Sequence, residues 1–308
     1  MQFCWLFFLL LFISGSASAT VLTATMTTTY FTVHYDPKDP YLAESAAQVA
    51  SDELLRLAKD LGYEPEPQRR IPLMVYRTHH SFIKEGGHKD RYVVGTAHTG
   101  DERISVDASG AFVTMKTVIS HELTHAVVFR ILGRHVDALP LWMHEGLAKY
   151  QSEPYPDADD ALVAQAAADG TLIALADLKK RFPGKRSDLA YAESSSAVRY
   201  MVHKYGSSAP KRLLAEIAKS GSFDKALFEA TGVVEKEFVS QWAGSISKRY
   251  RLLRTWRILS ALGGSTMAIL AIIAFIIRRK RMARAAREWE WEEFEDSMSR
   301  QLRDWPHR

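Results

Sequence analysis

Apolar residues recur along this chain in two rhythms, and the switch between them divides it. Up to Phe112 the pattern is mainly that of strands, over Tyr30–Tyr35, Ile71–Tyr76, Tyr92–Ala97 and Arg103–Val106, the last two joined by the turn-rich stretch His98–Glu102. One helix interrupts them. Leu42, Ala46, Val49, Ala50, Leu57 and Leu61 fall at helical spacing across Tyr41–Leu61, and Gly62 is placed to end that helix. After Phe112 the strand pattern stops, and helices are predicted over Val113–Leu132, Pro140–Gln151, Asp159–Ala168, Asp188–Tyr205, Pro210–Ala218 and Val234–Tyr250. The expected fold class is α+β: a small N-terminal mixed sheet, then a mainly helical body, with one further apolar helix near the C-terminus.

Two apolar runs do not fit inside such a domain. Residues 3–13 (FCWLFFLLLFI) precede SGSASA, and Ala17-Ser18-Ala19 has the small-x-small form of a signal-peptidase site, so residues 1–19 are expected to be a signal peptide. Leu259–Ile277 is a run of nineteen uncharged, mostly apolar residues. As a helix it spans roughly 28 Å at about 1.5 Å per residue, which matches a bilayer core and predicts a single-pass transmembrane helix. The implied domain order is a signal peptide (1–19), an extracytoplasmic domain (20–247), a basic juxtamembrane segment (248–258), the membrane helix (259–277) and a cytoplasmic tail (278–308).

Charge supports this placement. The chain carries 40 Lys+Arg and 36 Asp+Glu, a formal charge of +4, yet residues 248–287 hold eleven basic side chains and no acidic one. Taking those eleven from +4 leaves the remainder at −7. The positive charge is therefore a membrane-flank signal and no nucleic-acid partner is expected. Trp289, Trp291 and Phe294 in the tail point to a cytoplasmic partner, because aromatics are costly on a purely solvated surface.

Composition narrows the chemistry. Cys4 is the one cysteine, so the chain beyond it has no disulfide, thiolate metal ligand or thiol nucleophile. The sequence has no asparagine and hence no N-x-S/T acceptor. Ser194-Ser195-Ser196 lacks a G-x-S-x-G elbow, which argues against a serine hydrolase.

Ile119–Val128 contains His121-Glu122-Leu123-Thr124-His125 inside a helical apolar pattern. At about 100° per residue the two histidines lie roughly 40° apart and one turn apart, so both imidazoles can reach one ion. Glu122 sits about 100° further round, where it can address water without ligating. Zinc needs a third protein ligand and an open position, and Glu145 in LPLWMHEGLAKY (139–150) is the candidate, a carboxylate set among Leu141, Trp142 and Leu147. Of the other histidines, His34, His79, His80, His88, His98, His135, His144 and His203 read as surface or satisfied polar groups, with His144 on a different helix face from Glu145.

HELTH, followed after nineteen residues by the glutamate of LWMHEGLAKY, resembles the gluzincin zinc peptidases. Its second helix is similar to the W-x-x-E-G-[FL]-A-x-[YF] helix of aminopeptidase N and of the peptidase MA-like families. Many aminopeptidase-N members have one residue fewer between the motifs, a difference that falls in the expected loop Gly133–Leu139. The likeness covers Val113–Tyr150 and continues through LAYAESSSAVRYMVHKYG (189–206), which resembles a helix of the peptidase MA-like group. The resemblance implies one Zn²⁺ held by His121, His125 and Glu145, with Glu122 as the general base that activates water. Tyr191, which opens the likened helix, is the candidate oxyanion donor.

A peptide or protein substrate is expected, with its backbone paired to an edge strand from either Val93–Ala97 or Arg103–Val106. The acidic amine-gripping loop of aminopeptidases is absent, which favours cleavage of internal bonds. The rival readings are a catalytically silent peptidase-like binding or signalling membrane protein, and a zinc hydrolase acting on a non-peptide bond.

Overall fold

The computed structural model describes residues 22–87, 93–153, 157–179, 182, 186–246 and 271–282. The expected signal peptide, the membrane segment up to residue 270 and the aromatic tail lie outside them. The chain divides into two compact units, Met1–Lys248 and Arg249–Arg308.

The first unit starts with β1 (Ala24–Thr27), β2 (Phe31–Tyr35), α1 (Pro40–Leu61), β3 (Ile71–Tyr76), α2 (His79–Glu85), β4 (Gly95–Ala97) and β5 (Ile104–Asp107). These strands form one five-stranded sheet in the order β1-β2-β3-β5-β4. The outer pairs, β1 with β2 and β4 with β5, run antiparallel, while β2, β3 and β5 are parallel. Parallel neighbours need a crossover, and α1 supplies it between β2 and β3. Phe31, Val33, Ile71, Leu73 and Val75 are buried at alternating positions. Gly62 ends α1 in the left-handed region at φ 78°, its N–H donating to the Ala58 carbonyl.

A helical body comes next: α3 (Met115–Leu132), a 3₁₀ turn (Gly133–Ala138), α4 (Leu141–Ser152), α5 (Asp157–Asp169), α6 (Ser187–Tyr205), α7 (Ala209–Ser220) and α8 (Phe223–Thr231), then helical residues 235–246. The small mixed sheet and mainly helical body are those of the α+β fold read from the sequence. Three elements were not anticipated. β1 alternates Ala, Thr, Met and Thr and has little apolar signal, so its pairing with β2 makes it a strand. The short helices α2 and α8 span seven and nine residues. Pro140, expected as the first helical residue, instead lies in extended backbone at ψ 146° as the N-cap of α4.

α3 runs through the middle of this unit, against α1, α4, α7, β4 and β5. Every residue from Val118 to Phe129 is buried, so the helix has no solvent face at its centre. Thr114 caps its start by accepting the Thr117 N–H at 3.2 Å.

In the second unit, residues 271–282 are helical and exposed throughout. Among the described residues no helix is long and apolar enough to cross a membrane.

Candidate metal centre

A helix buried on all sides must satisfy its polar residues internally. Two on α3 do so structurally: Thr124 donates to the Ser120 carbonyl at 2.8 Å, and Ser120 accepts from Arg56 at 3.0 Å. His121 and His125 instead meet α4. The two rings are 4.8 Å apart and nearly perpendicular, and His121 Nε2 and His125 Nε2 lie 3.6 and 3.7 Å from Glu145 Oε2. One ligand atom from each of the three residues lies within 4.8 Å of the other two, all of them buried.

α4 delivers Glu145 because it is held at both ends and along its length. Its first N–H groups, of Leu141 and Trp142, donate to the backbone carbonyls of Lys179 and Leu178 at 3.0 and 3.1 Å. At the far end Arg56 donates to the Gln151 carbonyl at 2.9 Å and its side chain at 2.6 Å. Midway, Gly146 lets α6 approach, since a Cβ there would lie 2.5 Å from the Ser194 carbonyl oxygen. Trp142 turns into the core, edge-on to Phe223 at 6.0 Å. One turn beyond Glu145, Lys149 is buried against Glu153 at 2.9 Å and Asp159 at 3.3 Å.

Glu122 faces the sheet. A Cβ on Gly95 of β4 would lie 2.6 Å from Glu122 Oε1, so the carboxylate rests directly on the backbone of that strand. Among the described residues β4 is the outermost strand on this side and pairs with β5 alone, whereas β5 is flanked by both β3 and β4. Of the two edge strands considered from sequence, the first is the edge and the second is interior.

Burial sets the electrostatics. It pushes the pKa of His121 and His125 well below the ordinary value, helped at His121 by Lys149 and His144 and at His125 by His144 and His121. Both imidazoles are therefore neutral and carry a lone pair. Burial raises Glu145 well above the carboxylate range, and raises Glu122 likewise with the nearby Glu145 charge added. A dication reverses that preference by stabilising the ionised carboxylates. Among the described residues Glu145 Oε2 has no hydrogen-bond partner, and a buried carboxylate oxygen left so beside two neutral imidazoles fits a cation. The donor set of two nitrogens and one oxygen is that of a catalytic zinc site.

Tyr191, on α6, is buried with its ring edge-on to Phe182 at 4.8 Å. Burial and then the charges of Glu145, Glu122 and Asp188 raise its phenol well above the usual value, which places it in the field of the same centre.

His144 corrects the sequence reading. It does not lie at the surface: it is buried, and its Nδ1 is satisfied across the helix pair by His125 Nδ1 at 2.7 Å. A signal was present in LWMHEGLAKY, where a helix with so few polar positions leaves His144 no solvent side and obliges it to find an internal partner.

Residues 49–248 match the family model of the Peptidase MA superfamily, a span running from within α1 past the end of α8 and containing every residue of the centre. No curated protein matches the chain.

Proposed function

Because this chain belongs to the Peptidase MA superfamily, we propose that it is a membrane-anchored zinc metallopeptidase of gluzincin type that cleaves internal peptide bonds outside the cytoplasm. The observation that carries the reading is the convergence of His121, His125 and Glu145 from two helices onto one buried point. Zinc held there supplies a Lewis acid that polarises the scissile carbonyl and acidifies water.

The protein's own groups do the rest. Glu122 takes a proton from the attacking water as its oxygen bonds to the carbonyl carbon, then passes it to the amine nitrogen as the C–N bond breaks. Tyr191 keeps its proton at neutral pH and donates a hydrogen bond to the oxyanion. The substrate backbone lies along β4, the edge strand on which Glu122 rests. The acidic residues of the β4–β5 turn are already paired, Asp101 with Arg103 and Glu102 with Arg69 and Arg130, so none there is free to hold a substrate's N-terminal amine. That supports internal-bond cleavage. Anchoring rests on Leu259–Ile277, whose last seven residues form an exposed apolar helix leading into Arg278, Arg279, Lys280 and Arg281.

Full-length protein in detergent is expected to hold about one zinc per chain and to cut internally quenched peptides. Glu122→Gln should keep the metal and lose about 10²–10⁴-fold in kcat. Zinc-loaded wild type that leaves a diverse peptide library intact would overturn the peptidase reading. Activity confined to aminoacyl substrates would overturn internal cleavage.

A further inference from the structure

His125 presents Nε2 to Glu145 at 3.7 Å and Nδ1 to His144 Nδ1 at 2.7 Å. The two rings are inclined by only 19°, with centroids 4.6 Å apart. Nitrogens this close in nearly parallel rings require the rings to meet edge to edge, which puts an N–H of one near the lone pair of the other. Two uncharged imidazoles share one bridging proton there, and its ownership has consequences. If His125 Nδ1 donates, its Nε2 keeps a lone pair toward Glu145. If His144 Nδ1 donates, neutral His125 carries its proton on Nε2 and cannot ligate.

We propose that His144 is a positioning residue of the metal centre, whose Nδ1 accepts the His125 N–H and so fixes His125 in the one tautomer and orientation that can bind zinc through Nε2. Ligand histidines commonly give their second N–H to a carboxylate or a backbone carbonyl. Here that acceptor is an imidazole, brought by the residue that precedes the third ligand, so one turn of α4 supplies both a ligand and the support for another. Phe129, one turn along α3 from His125, packs against the His144 ring at 5.1 Å. The arrangement has a built-in cost: with its Nδ1 accepting, His144 carries its proton on Nε2, a buried atom with no hydrogen-bond partner among the described residues.

The inference rests on the proposed zinc site, and its test separates the two. Zinc affinity of the full-length protein is measured by chelator competition for wild type, His144→Leu and His144→Asn. Asn places an acceptor oxygen close to the Nδ1 position and Leu places none. His144→Leu is expected to lose about 10–100-fold in zinc affinity, with His144→Asn within a few-fold of wild type. Equal affinity in wild type and His144→Leu, or equal losses in both variants, overturns the positioning role while leaving the zinc site standing. Wild type that binds no zinc removes the site itself. Nitrogen NMR of isotope-labelled histidine in zinc-loaded wild type tests the same point without a variant: a protonated Nδ1 on His125 and an unprotonated Nδ1 on His144 are expected, and the reverse overturns the proposal.

Discussion

Glu193 is a buried carboxylate with no part in the metal centre. It is fully enclosed on α6 and accepts the Ile173 N–H through both oxygens, at 3.0 and 3.2 Å. Burial outweighs that hydrogen bond and the Arg186 charge, and its pKa rises from 4.5 to about 7. The folded state therefore holds a proton that the unfolded chain has released, so this group's contribution to stability is full below about pH 4.5 and is lost as pH rises to about 7. The loss is about 3 kcal/mol at most. Urea denaturation of wild type and Glu193→Gln between pH 5 and 8 should show a falling wild-type profile and a flatter one for the variant, and parallel profiles would contradict it. The sequence did not single out this residue, because nothing in its local pattern says that a segment twenty positions upstream folds over it. His121, Glu122 and His125 were legible for the opposite reason, since helical geometry alone sets their relation. Glu145 was legible from its apolar neighbours. For His144 the burial was legible in LWMHEGLAKY but the partner was not, because His125 lies on another helix.

Among elements, the contact of α4 with α6 governs how firmly Glu145 is presented. Gly146→Ala would drive a methyl into the backbone carbonyl of Ser194, an obstacle that no rotamer change relieves. The helices must part, at about 1–3 kcal/mol, and zinc affinity is expected to fall along with the urea midpoint. An unchanged midpoint would mean that the helices separate freely. The long helices α1, α3 and α6 could be read from periodicity, which needs several turns to register. α8 could not: Phe223, Ala226, Leu227 and Ala230 do fall on one buried face, yet nine residues are too few to distinguish that face from chance. β1 and the length of β4 depend on the strands they pair with, information that no window of sequence contains.

At the level of the whole molecule, the division at Lys248 separates proposed catalysis from proposed anchoring. A chain truncated after Lys248 is expected to leave the membrane fraction while keeping its zinc and its urea midpoint; loss of zinc on truncation would show that the second unit takes part in the site. Chelation should destabilise the first unit, by about 4 kcal/mol relative to free zinc at a thousand times Kd, measurable as a lower thermal midpoint that readdition restores. The carbonyls of Leu178 and Lys179 that receive the first N–H groups of α4 impose a chronology on all of this. A nascent chain emerging N-terminus first contains the complete HELTH stretch, and even Glu145, well before the segment that orients α4 has been made. A fragment stopping at Gly170 lacks those two acceptors and is expected to bind zinc more weakly than the full chain.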